Sequence, residues 1–74
     1  MERKKLIEFR TRKNVTQKEV ATAVNITTSY YGMIELGVRT PTMAIAGKIA
    51  EYFSASIEEI FFDNSDNNML YKTI

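Results

Sequence analysis

Apolar residues recur along most of the chain at spacings of three and four, the period of an amphipathic helix, and four times the pattern restarts just behind a Ser or Thr. Residues 2–13, ERKKLIEFRTRK, are rich in helix formers and set Leu6 on one face with Phe9 or Arg10. Asn14 and Val15 interrupt this first helix. Thr16 then opens a Thr-x-x-Glu box with Glu19, whose hydroxyl and carboxylate satisfy orphan amides at a helix start. The second helix spans about 17–23, with Val20, Ala21 and Val24 inward. Asn25 tolerates the left-handed conformation and can close that helix as a glycine would. Ile26 turns into the core, Thr27 caps a third helix over 28–36, and Gly37 ends it. Tyr31 and Ile34 point inward from this helix, leaving Thr28, Ser29, Gly32, Met33 and Leu36 on another side.

Beyond Gly37 the pattern continues in the same idiom. Pro41 discourages helix at Thr40, Thr42 caps a helix over 43–53, and Ile45, Ile49 and Phe53 form a stripe widened by Ala46 and Ala50. Ser54 and Ala55 make a turn. A second box, Ser56 to Glu59, starts a fifth helix whose Ile57, Ile60 and Phe61 close the core. The expectation is an all-α, compact five-helix bundle over residues 1–62. Residues 63–68, DNSDNN, read as a polar linker, and the apolar MLYKTI of 69–74 as a short C-terminal tail. That tail could add an edge strand, dock on the core or cross to a dimer partner.

Composition narrows the chemistry sharply. With no cysteine and no histidine, disulfides, thiolate or imidazole metal sites and the commonest general base are all removed, and no carboxylate pair, activated nucleophile or phosphate loop is visible. No enzyme, metal or cofactor is expected. There is no signal-peptide core and no apolar run near the roughly 20 residues that a membrane span requires, so a cytoplasmic protein is expected. The net charge of +1 hides an asymmetry: residues 1–48 hold nine of the ten Lys and Arg against four acids, and residues 49–74 hold one Lys against five acids. A basic side for a polyanion and an acidic far side would look like this, as would an uneven solvated surface.

Taken together, residues 6–62 resemble the Cro/repressor-type (XRE) helix-turn-helix family of bacteria, phages and plasmids. The resemblance is carried by Thr16-Gln17, Ala21, Asn25, Ile26, Thr27, Ile34-Glu35, Gly37, Pro41 and the ending Ser56-Ile57-Glu58-Glu59-Ile60-Phe61. It implies that residues 17–36 form the helix-turn-helix, with helix 28–36 in the major groove of double-stranded DNA and the start of helix 17–23 at the backbone. Thr28, Ser29, Gly32 and Met33 then match the base-reading positions. Gln17, Thr27, Tyr30 and Arg39 match phosphate contacts, and Arg10 with Glu35 matches a structural salt bridge. Gly32 costs roughly 1 kcal/mol of helix propensity relative to Ala, for which close approach to DNA or a tight helix crossing would be the reason. Lys4, Lys5, Arg12 and Lys13 supply a diffuse field.

The reading set departs from the usual one. Thr and Ser address several base edges, and a Thr or Met methyl can touch a thymine methyl, but none has the bidentate grip of Arg on guanine or Gln on adenine. DNA shape and dimer spacing are therefore expected to share the discrimination. Tyr31 replaces a branched aliphatic, so its hydroxyl needs a partner or the surface. Leu36 replaces a polar residue and is either a contact to DNA or a packing residue at the helix end. The function this implies is a sequence-specific transcriptional regulator, a repressor, binding a two-fold operator as a homodimer, bacterial or phage- or plasmid-encoded and nucleoid-associated when bound. The alternative is a protein-interaction module on the same fold, an antitoxin or anti-repressor. No small-molecule ligand or membrane partner is implied.

Overall fold

The ends of the helices are built to one plan. In the computed structural model, which describes residues 2–62, the elements are α1 (Lys4–Lys13), α2 (Gln17–Ala23), α3 (Thr28–Leu36), α4 (Met43–Tyr52) and α5 (Ile57–Phe61), with no strand among the described residues. The expected linker and tail, 63–74, lie outside the described residues. Four helices start behind a hydroxyl: Thr16, Thr27, Thr42 and Ser56 each accept from the amide three residues on, at 3.0, 3.0, 3.2 and 3.1 Å. At Thr16 and Ser56 the box is complete, since Glu19 and Glu59 accept from the cap amides at 2.7 and 2.8 Å. Each such cap stabilises its helix by about 1 kcal/mol.

The C-terminal ends match just as closely. Asn14, Asn25, Gly37 and Ser54 all sit in the left-handed region, with φ of 61°, 64°, 82° and 56°. At each, the amide of that residue and the amide of the next turn back to the last carbonyls of the helix. Gly37 donates to Ile34 and Val38 to Met33 (both 3.1 Å), while Asn25 donates to Thr22 and Ile26 to Ala21 (3.2 and 2.9 Å). This closure satisfies carbonyls that would otherwise be orphaned and reverses the chain in two residues. Asn14 and Ser54, read from sequence only as interruption and turn, do the same work as Asn25 and Gly37.

The helix starting at residue 2 in the sequence reading begins at Lys4 instead. Arg3 is the preceding residue, with non-helical backbone and no side-chain cap, and its amide donates to the Glu35 carbonyl near the end of α3 at 2.8 Å. One long-range bond thus serves a residue at the edge of α1 and an orphan carbonyl of α3 together. The reading's helix 43–53 ends one residue earlier, at Tyr52, because Phe53 already belongs to the closing turn.

Every helix contributes to one core. Leu6, Val20, Tyr31, Ile34 and Ile49 are fully buried and Ile60 nearly so. Burying each such side chain stabilises by roughly 1.5–3 kcal/mol, which is what holds helices of five to ten residues that are too short to persist alone. Phe9 and Phe53 meet at 6.0 Å and Tyr52 stands edge-on to Phe53 at 5.0 Å, joining α1 to α4. Arg12 and Lys13, read as a diffuse field, lie over the Phe9 and Tyr52 rings at 5.4 and 5.3 Å.

Candidate nucleic-acid interface

The α2–α3 pair is rigid because its turn and its crossing are both fixed. Ala21 is fully buried, and its carbonyl accepts from Ile26 beyond the left-handed Asn25. A larger side chain at Ala21 would force the two helices apart. Val20 and Ile34 pack in the same core cluster, and Ile26 is half-buried against it.

Glu35 is the hub that ties three segments to this pair. It is buried, with 3% of its surface exposed. Arg10 Nε donates to Oε2 at 2.5 Å and Nη2 to Oε1 at 3.2 Å, a bidentate pair linking α1 to α3. Gln17 Nε2 donates to the same Oε1 at 2.9 Å, linking α2. Arg10 Nη1 also donates to the Val15 carbonyl at 3.2 Å, so the α1–α2 connector is held by the same side chain. Burial, the largest single influence on the Glu35 carboxyl, pushes its pKa up, but Arg10, Gln17 and the adjacent Tyr31 hydroxyl together outweigh it and the net shift is downward. The Arg10 guanidinium is raised, chiefly by its bond to Glu35. The pair stays charged at neutral pH.

Tyr31 adds a feature the sequence did not anticipate. Its ring is core, as expected, but its hydroxyl neither reaches the surface nor makes a directed hydrogen bond, being buried beside the Arg10–Glu35 pair. Burial first, and the adjacent carboxylate second, push its pKa well above that of an ordinary tyrosine.

On the other side of α3 lies an open arc. At 100° per residue, Thr28, Gly32, Leu36, Ser29 and Met33 fall in succession over about 140°, with the buried Ile34 and Tyr31 on the far side and the buried Glu35 flanking the arc beside Thr28. Thr28, Ser29 and Leu36 are exposed, and so is Met33. A side-chain carbon added at Gly32 would meet only the end of the Gln17 side chain, its Oε1 at 3.4 Å, so no helix crossing requires the glycine. Thr27, besides capping α3 through its side chain, is exposed at the edge of this arc, while Tyr30 is half-buried against the core. Arg39 is exposed just past the end of α3, and its carbonyl accepts from Arg3 Nη2 at 3.3 Å. Arg3 also stacks over Phe61, 5.7 Å from the ring centre. Sequence reasoning missed both Arg3 as a staple and the bond of Gln17 to Glu35. No local pattern could mark partners 36 and 18 residues apart.

Comparison with known proteins points the same way as this geometry. The helix-turn-helix family profile matches residues 6–60. The chain belongs to the XRE-type helix-turn-helix family. A protein of Archaeoglobus fulgidus described as an HTH-type transcriptional regulator is 38% identical over 65 residues, covering 86% of this chain and 92% of its own. YqaF of Bacillus subtilis, described in the same terms, is 47% identical over 51 residues, covering 69% and 67%. A Methanocaldococcus jannaschii protein of that description is 34% identical over 62 residues, covering 84% and 94%. Members of the XRE family are DNA-binding transcription regulators. None of the helices among the described residues of this XRE chain is long and apolar enough to cross a membrane.

Proposed function

We propose that the protein is a sequence-specific transcriptional regulator, acting as a repressor, that inserts α3 into the major groove of a two-fold operator as a homodimer. The observation that carries the reading is the open arc of α3, a helix that Glu35 locks to α1 and α2. Rigid mounting matters because base readout depends on side chains held within fractions of an ångström of the base edges, and an interface on so short a helix covers only a few base pairs. Two copies spaced one helical turn apart supply the remainder of the specificity.

Within this reading Thr28, Ser29 and Met33 face bases and Gly32 lets the helix backbone approach them. Thr27, Tyr30 and Arg39 reach phosphates. Gln17 has one half of its amide engaged with Glu35 and the other, Oε1, beside Gly32. A phosphate contact by Gln17 therefore draws on its amide Nε2 and couples the backbone contact to the hub. With two to four phosphates neutralised per subunit, log affinity falls against log salt with a slope of about −2 to −4, doubled for a dimer.

Selection from randomised duplex, followed by gel retardation at increasing salt, tests the proposal. Enrichment of a two-fold sequence and a salt slope in the stated range support it, and failure to prefer any sequence over random duplex defeats it. The alternative, an antitoxin or anti-repressor that grips protein through α3, draws on the exposure of Met33, Leu36 and Val38. It predicts tight binding to a protein with no retention of DNA.

A further inference from the structure

The arc that α3 presents has an unusual chemistry for a surface that reads bases. None of its five residues carries an amide, guanidinium, ammonium or carboxylate. Two hydroxyls, of Thr28 and Ser29, stand toward its start, and its far part is apolar: Met33 is 36% and Leu36 56% exposed. Val38 extends that apolar part beyond the helix. Its amide bonds back to the Met33 carbonyl at 3.1 Å, which folds it over the last turn, and it is 66% exposed. Met33, Leu36 and Val38 thus form one exposed apolar strip bordered by Arg39 and by the hydroxyl end of the helix.

Of the groups on the floor of the major groove, the acceptors of guanine, adenine and thymine and the amino groups of adenine and cytosine all need hydrogen-bond partners, which this strip cannot provide. Covering them with Leu or Met would leave buried polar atoms unpaired, a cost that outweighs the apolar area gained. One groove-floor group is apolar, the methyl at C5 of a pyrimidine, carried by thymine and by 5-methylcytosine.

We propose that the strip of Met33, Leu36 and Val38 is a reader of pyrimidine C5-methyl groups, so that the operator half-site carries a run of thymines where the end of α3 lies. The proposal rests on the DNA-binding reading above and adds to it the chemical feature recognised. Hydroxyls at Thr28 and Ser29 read the polar edges of neighbouring pairs, and the methyl strip supplies the discrimination that bidentate side chains supply elsewhere.

The test uses the full 74-residue chain and the duplex recovered by selection. Each thymine of the half-site is replaced in turn by deoxyuridine, which removes the methyl and leaves the hydrogen-bonding edges intact. Affinity is expected to fall about fourfold at each contacted position, the equivalent of burying one methyl-sized group. Exchanging the contacted T·A pair for 5-methylC·G is expected to retain more affinity than exchange for unmodified C·G, which separates methyl reading from recognition of the adenine partner. In the Leu36→Ala and Met33→Ala proteins, whose folding is checked by their melting curves, the thymine-to-uracil ratio is expected to shrink toward one at the position each side chain covers.

Equal binding of the thymine and uracil duplexes at every position overturns the methyl proposal while leaving DNA recognition standing. So does a ratio unchanged in both variants, or a selected half-site without thymine. If selection enriches no sequence at all, the methyl proposal and the regulator reading fall together.

Discussion

Replacing Arg10 by Met removes one partner of a buried pair and strands the other. The methionine fills most of the volume of the arginine stem, so the change is chiefly electrostatic. Glu35 would be left with its side chain 4% exposed and with Gln17 as its remaining side-chain donor. Breaking such a pair costs about 3–5 kcal/mol, and the lower figure applies here because the Arg10 side chain is 19% exposed. For a domain of this size 1 kcal/mol displaces the melting midpoint by roughly 4–8 °C, so Arg10→Met should melt roughly 12–24 °C below the parent at pH 7.

The pH dependence identifies the cause. In the parent the Glu35 carboxyl is held below its ordinary value, so its contribution is present above the unfolded value, about 4.3, and is lost as pH falls through the folded one. In the variant burial is no longer outweighed, so the carboxyl shifts upward and protonation relieves the stranded charge. The gap between the two proteins should therefore narrow between pH 7 and pH 4. Arg10→Met with Glu35→Leu removes both charges and should recover most of the loss. Circular dichroism melts of the three proteins across pH decide the matter. A single variant that melts with the parent, or a deficit that is independent of pH, would refute the reasoning.

Other outcomes follow from the same structure. Tyr31→Phe deletes a buried hydroxyl without a hydrogen bond and should raise stability by about 1 kcal/mol in a denaturant titration, where a loss of that size would show that the hydroxyl is satisfied. Because burial raises the folded Tyr31 pKa, the folded chain holds the phenol proton more tightly than the unfolded one, and stability should decline as pH rises above about 10. In Tyr31→Phe this part of the alkaline decline should vanish. Asn25→Ala forces a side chain with no local hydrogen-bonding capacity into the left-handed region and should cost about 1 kcal/mol, while Asn25→Gly should be close to neutral by the same titration. Gln17→Ala should weaken retardation of all duplexes by a similar factor without altering the selected sequence, and a changed sequence preference would contradict its assignment to the backbone.

How much of this was legible in the chain depends on the range of the interaction. The caps at Thr16, Thr27, Thr42 and Ser56 and the closures at Asn25 and Gly37 were readable because each is settled within six residues by hydrogen bonds along the backbone. Asn14 and Ser54 carry the same geometry, yet a lone Asn or Ser is common in any turn, so only the fold reveals that they close helices. The pairing of Arg10 with Glu35 came from the family resemblance. Nothing in the spacing of two charges 25 residues apart says that they meet.

The sequence by itself determined the five helices, their caps and the residues facing the core, because periodicity and capping are local properties of a chain. Tertiary structure alone decided what Glu35 holds. Its carboxylate gathers Arg10 and Gln17 from two other helices, its carbonyl takes the Arg3 amide, and Tyr31 is buried beside the pair. It also decided that Gln17 leans over Gly32, and that Leu36 and Val38 stay exposed beside Met33. These depend on the angle at which α2 crosses α3 and on how the chain leaves Gly37, and such angles are fixed by packing among distant residues.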